Sequence, residues 1–274
     1  CLYAEDSGLF GHNLAFRDYL ARFGSRDFRR ALIDLFDVLD TPVNQRDPYL
    51  DEDLAAFPYV NGGMFAEKQI EIPNFTDDLR ALILEHASSQ FDWSDISPTI
   101  FGAVFESTLN PETRHSGGMH YTSIENIHKV IDPLFLNDLR TEFDKIQNMG
   151  NSHQRIDRAK EFQEKIGRLK FFDPACGSGN FLTETFLSLR KLENQCLQII
   201  YGNQPILATE NIVQVKIQNF YGIEINDFAV SVARTAMWIA ENQMLEQTKD
   251  TVYYNKDFLP LDSNDSIFEG NALR

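Results

Sequence analysis

The chain has 274 residues, enough for one large domain or two modest ones, and its 43% hydrophobic and 24% charged content is ordinary for a globular protein. No run approaches the roughly 18 uncharged apolar residues of a membrane span, no secretory signal opens the sequence, and three scattered cysteines, Cys1, Cys176 and Cys196, argue against a disulfide framework and for a reduced, cytoplasmic setting. A formal net charge of −16 excludes a surface that is basic throughout, so any grip on nucleic acid has to come from a local patch or from other chain.

Residues 9–40 carry apolar side chains at helical spacing through Phe16, Tyr19, Leu20, Phe23, Phe28, Leu32, Leu35, Phe36 and Leu39. Two prolines in "TPVNQRDPY" break that pattern, and "FPYVNGGMF" at 57–65 is a turn segment. Helical spacing returns at 75–91 and 98–109. In "GGMHYTSIEN" at 117–126, Thr122 and Glu125 have the separation of a capping box ahead of a helix striped by Ile124, Ile127, Ile131, Leu134 and Leu139. Pro133 is expected to kink or split that helix, and the charged stretch 144–168 reads as one solvated helix.

The pattern changes at residue 169. "LKFFD" is a short strand ending in an acid, "PACGSGN" a small-residue turn, and Phe181–Ile200 an amphipathic helix. "QNFYGIEI" at 218–225 is a second strand ending in an acid, Asp227 opens another helix, and "DSIFEGNAL" at 265–273 offers a third strand. Strand, turn, helix, strand, helix, strand is the signature of a parallel, doubly wound α/β sheet. The expected organisation is a helical domain over 1–116 followed, over 117–274, by the first half of a Rossmann-like domain.

A strand, a glycine turn and a helix present backbone N–H groups and a helix N-terminus to a ligand. A phosphate-cradling loop ends in Gly-Lys-Ser/Thr, whereas here Asn180, Phe181 and Leu182 follow the glycines. A dinucleotide fold wants a third small residue where Leu182 stands and an acid roughly 20 positions on; the next acid ending a strand, Glu224, lies far beyond that.

"DPACGSGNFL" at 173–182 resembles the first motif of the N6-adenine DNA methyltransferases, which use S-adenosyl-L-methionine. "GGMHYTS" is similar to the cofactor motif that one subclass places before the glycine turn. "PYVNGGMF" and "FGAVFESTLNPETRHSGGMHYTSIENIHKVIDPLF" resemble the helical spacer of large single-chain restriction–modification methyltransferases (types IIG and IIL). The resemblance implies that Asp173 anchors the ammonium of the methionine moiety. It also implies that Pro174, Ala175, Gly177 and Gly179 form a turn that approaches the cofactor closely, and that Glu224, with Ile225 beside it, serves the ribose hydroxyls. Asn180, Phe181, Tyr121 and Thr122 complete the set it implies, although Thr122 can simply cap its helix, and Tyr121 and Phe181 can simply pack. For the acceptor at the adenine edge, Asn271 is preferred to Asp257. Cys176 is read as a small packing residue and not a nucleophile, and the scattered histidines offer no metal site.

In this family an Asn-Pro-Pro-aromatic segment holds the flipped base. The 274 residues contain no such sequence: Asn110-Pro111 is followed by Glu112 and lies before the cofactor turn. The chain opens on Cys and stops at "NALR", so it is expected to be a fragment. The base-holding motif would then follow Arg274, DNA would be held by parts of a parent chain, and the piece alone would be inactive. No lysine has an acid two positions before it, so no nuclease signature is seen. Two readings compete: methylation of RNA or of a protein glutamine, and a non-catalytic helical interaction module.

Overall fold

The computed structural model describes residues 1–60, 63–65, 71–108, 122–202, 212–252, 258–259, 261 and 265–273. Two compact units are present: Cys1–Ile96 with Asp257–Ser263, and Ser97–Lys256 with Asn264–Arg274.

The first unit is helical: α1 (Leu2–Asp6), α2 (Ala15–Ala21), α3 (Ser25–Asp40), α4 (Glu52–Ala55) and α5 (Asp77–Ala81), the last running on through wider turns over Leu82–Ser89. Its core is the stripe foreseen in the sequence, with Phe16, Tyr19, Leu20, Phe28, Leu32, Leu35 and Leu39 all buried. Two arginines close the orphan carbonyls at helix ends. Arg80 donates to the carbonyls of Phe23 (2.7 Å) and Ala21 (2.9 Å), and Arg46 to those of Val38 (3.0 Å), Thr41 (3.0 Å) and Phe57 (2.7 Å).

The second unit opens with α6 (Pro98–Thr108), α7 (Ile124–Ile131), α8 (Asn137–Gln147) and α9 (Ser152–Gly167). Thus the helix Pro98–Thr108, which a division at 116/117 assigns to the helical region, packs within the second unit. Two local expectations need correction. The capping residue of α7 is Ser123, whose hydroxyl accepts from the Asn126 N–H (3.4 Å), because the helix begins at Ile124 and only the residue before it can cap. Thr122 is thereby left outside the helix. The stretch 144–168 is two helices: Gly150 breaks it, and the Asn151 side chain caps α9 by accepting from the Gln154 N–H (3.2 Å). Pro133 splits its helix as expected, though not by a sharp end: α7 stops at Ile131, the chain widens into a π-type turn over Asp132–Leu136 and resumes as α8 at Asn137. A proline removes one N–H and crowds the carbonyl four residues back, and the wider turn relieves both.

Three parallel strands follow in the order β1 (Phe171–Asp173), β2 (Phe220–Glu224), β3 (Ile267–Glu269), connected through α10 (Asn180–Tyr201) and α11 (Asp227–Val252). This is the parallel α/β start expected from the sequence. The register sets Phe171 beside Phe220 and Gly222 beside Ile267. On that face the rings of Phe171 and Phe220 stack (centroids 5.2 Å apart), and Phe186 of α10 meets Phe220 edge-on at 5.4 Å. On the other face Phe172 and Phe268 are 61% and 46% exposed. The parallel register brings the carboxyl ends of all three strands together.

Candidate functional site

At those strand ends lies a cleft of about 590 Å³, within the range of small-molecule sites. The turn after β1 forms one wall. Gly177 and Gly179 adopt φ of +53° and +79°, which side chains with a Cβ rarely tolerate. Gly179 faces away from the cleft: a Cβ there would stand 2.9 Å from the Ala233 Cβ, so its role is to let α11 approach. Three backbone bonds fix the turn to β2 and to itself. The Cys176 N–H donates to the Ile223 carbonyl (3.0 Å), the Gly179 N–H to the Cys176 carbonyl (2.8 Å), and the Gly177 N–H to the Glu224 carboxylate (2.9 Å).

The two acids at the strand ends share the cleft but not an environment. Glu224 is 7% exposed, and besides Gly177 it accepts from the N–H groups of Ile225 (2.8 Å) and Asn226 (3.0 Å). Of the roughly four acceptor positions of a carboxylate, three are thus occupied by backbone and one is free. Asp173 accepts a single N–H, from Ala175 (3.1 Å). Burial pushes its carboxyl above the usual carboxylate range; the Ala175 N–H works against that shift and the nearby Glu224 charge adds to it.

Asn180 opens α10 on the cleft wall. It is 5% exposed, and among the described residues its side-chain oxygen has no hydrogen-bond partner. A buried acceptor without a partner is costly unless something else supplies a donor. Cys176 is buried, with its sulfur set against Gly222, and burial, reinforced by Asp173 and Glu224, pushes the thiol up to about 12. It is a poor nucleophile there.

The fold therefore gathers Asp173, Pro174, Ala175, Gly177, Asn180, Phe181, Glu224, Ile225, Thr122 and Asn271 around one cleft, from segments as far apart as 122 and 271. Asn271 sits two residues past β3, and its side-chain oxygen accepts from the Leu273 N–H (3.0 Å). Tyr121 and Asp257 lie outside the described residues. Sequence reasoning passed over Ser178, Ile223, Gly270, Ala272 and Leu273, which also line the cleft. Ala272 and Leu273 were within reach, since "GNAL" follows directly on the third strand. Among the described residues no group of three or more His, Cys, Asp or Glu gathers as a metal site, and no helix is long and apolar enough to cross a membrane.

Residues 146–274 match the family described as MmeI, DNA-methyltransferase domain, and residues 1–65 match the MmeI helicase spacer domain. Among curated proteins, DNA methyltransferase A of Bacillus subtilis (strain 168) is 39% identical over 282 residues, covering 100% of this chain and 30% of its own length. The adenine-specific methyltransferase PglX of Streptomyces coelicolor is 35% identical over 72 residues, 26% of this chain and 5% of PglX. The solved structure of the type IIL restriction–modification enzyme MmeI in complex with DNA superposes with a TM-score of 0.88 at 39% identity, covering 100% of this chain and 36% of that one. The chain therefore spans about a third of the length of its full-length relatives. On these matches the chain carries an MmeI-type helicase spacer domain over residues 1–65 and an MmeI-type DNA-methyltransferase domain over residues 146–274.

Proposed function

We propose that the cleft at the strand ends binds S-adenosyl-L-methionine, and that the protein to which this chain belongs methylates adenine N6 in DNA as part of a restriction–modification system. The observation that carries this reading is the convergence on one cleft of Asp173, the Gly177 turn, the unpartnered Asn180 oxygen, Glu224 and Asn271. Bound there, the cofactor would supply an electrophilic methyl group on a sulfonium.

The chain's own residues divide the task of holding it. Asp173, with only one N–H satisfied, is left to receive an ammonium through charge-assisted bonds. Glu224 offers its one remaining acceptor position to a ribose hydroxyl, and its three backbone bonds fix the direction of that acceptor. The Asn180 oxygen is free to take a further donor of the ligand. Phe181 and Ile225 supply apolar wall, and Asn271 stands where it can read a base edge. Since the 274 residues contain no Asn-Pro-Pro-aromatic sequence, we assign this chain the cofactor-holding part of the chemistry and not the holding of a flipped base. The functional division we propose is a helical spacer over 1–116 and the cofactor half over 117–274, with DNA held chiefly by other parts of the protein. The match to a helicase spacer domain over residues 1–65 favours this reading over methylation of RNA or of a protein glutamine.

Calorimetry with the full-length protein tests it: Asp173→Ala should weaken S-adenosyl-L-methionine binding by about 1.5–3 kcal/mol, and label from the cofactor should appear on adenine in unmethylated DNA. Unchanged affinity in Asp173→Ala, or label on cytosine, would overturn the assignment. The 274-residue chain by itself should transfer no label.

A further inference from the structure

We propose that Gly102, in α6, is a positioning residue for the cofactor turn. Helix α6 lies directly against the back of that turn. A Cβ built on Gly102 would stand 2.5 Å from Ser178 Oγ, 2.7 Å from Ser178 Cβ and 3.1 Å from the unpartnered Asn180 oxygen. Side chains do not approach so closely, so the absence of one at residue 102 is what permits this contact. The Ser178 Cβ is fixed to the backbone and cannot swing aside as the end of a long side chain would. It also sits between Gly177 and Gly179, both at positive φ, so displacing it moves the whole turn.

Helix α6 itself is not free to yield. It packs on both α10 and α11, and the fully buried hydroxyl of Thr99, one turn before Gly102, donates to the Glu184 carboxylate of α10 (3.4 Å). Added bulk at residue 102 is therefore relieved at the turn, where Gly177, Ser178 and Asn180 face the cleft. The inference rests on the cofactor reading of that cleft, and it assigns α6 the task of fixing the depth at which the turn sits.

The substitution separates positioning from stability because alanine is the better helix former, so Gly102→Ala favours α6 as a helix. In the full-length protein, Gly102→Ala should keep the melting temperature within a few degrees and bind S-adenosyl-L-methionine about ten-fold more weakly, as expected when a rigid site is displaced by a fraction of an ångström. Ser178→Gly removes the atoms the new methyl would strike. The double variant Gly102→Ala/Ser178→Gly should therefore bind as well as Ser178→Gly alone. The proposal is overturned if Gly102→Ala folds and binds like wild type, or if the double variant is weaker than Ser178→Gly by the same factor. Should Gly102→Ala fail to fold, the double variant decides: recovered folding and binding support the proposal, and failure in both overturns it. Absence of binding by the wild-type protein would instead remove the cofactor reading, and this inference with it.

Discussion

The start and the middle of helix α10 both bury polar side chains, to opposite effect. In its middle Arg190 and Glu193 are 2% and 0% exposed and form an ion pair in the core. Further hydrogen bonds surround the pair. The Arg190 guanidinium also donates to the Thr248 hydroxyl (2.7 Å), Thr248 in turn to the Asn194 oxygen (2.7 Å), and Gln163 to Glu193 (2.9 Å) and to the Ile212 carbonyl (2.7 Å). This network ties α9, α10, α11 and the strand approach at 212–215 together. At the start of α10, Asn180 is 5% exposed and, among the described residues, its oxygen has no partner. Satisfied buried polarity fixes a fold, whereas unsatisfied buried polarity beside a cleft leaves an acceptor that a ligand can take.

The largest expected effect belongs to the satisfied cluster. Glu193→Ala leaves Arg190 charged, buried and without its carboxylate, and should cost about 3–5 kcal/mol of folding stability, read from denaturant melts of the full-length protein. A cost below about 1 kcal/mol would mean that water or another acid already serves Arg190 and that the contrast between the two places on the helix is false.

Glu224 and Asp173 sharpen the contrast within the cleft. Glu224→Ala strands the N–H groups of Gly177, Ile225 and Asn226, so stability should fall by about 1–3 kcal/mol together with cofactor affinity. Asp173→Ala removes a carboxylate that burial already disfavours, so only affinity should fall. Equal losses of stability in the two variants would show that Asp173 is also a fastener.

A third polar cluster lies one helical turn from Asn180 and should respond to pH. His128 of α7 sits between Asp132 (2.8 Å) and Glu184 of α10 (3.1 Å), with Arg140 on the far side of Asp132 (3.3 Å). Chiefly because of its hydrogen bond to Asp132, and also through Glu184, the imidazole titrates above its ordinary value of 6.5, against a smaller opposing effect of burial. A raised folded-state pKa means that the stabilisation is complete below the unfolded value and is lost as pH rises through the folded one. Melting temperature should therefore drop by roughly 2–4 °C as pH is raised from about 6 into the alkaline range, and His128→Gln should flatten that slope. An unchanged slope in the variant would assign it to other groups.

The smallest effect is expected at Cys176. Its thiol only fills the space over Gly222, so Cys176→Ala should cost about 1 kcal/mol of stability and leave cofactor affinity and methyl transfer unaltered. Loss of transfer with retained binding would revive a chemical role for the sulfur.

Much of this was legible in the sequence, for identifiable reasons. The strand–turn–helix rhythm, the acids at the strand ends and the glycine turn follow from backbone sterics and alternation, and the resemblance to the methyltransferase motif then singled out Asp173, Gly177, Glu224 and Asn271 before any coordinates. The apolar stripe of the first unit was equally readable. Helix boundaries were less so: whether Thr122 or Ser123 caps α7 depends on a single residue's dihedral angles.

What the sequence determined is the set of groups proposed to hold the ligand and the order in which the chain presents them. What only the tertiary structure decided is which of them are already spent. Glu224 has given three acceptor positions to backbone and Asp173 one, Asn180 keeps its oxygen unpartnered, and Gly102, seventy-odd positions before the turn, presses on its back. Hydrogen-bond capacity is a property of a side chain, but its consumption depends on neighbours brought in by parallel pairing and helix packing over long sequence distances, and no local pattern encodes those.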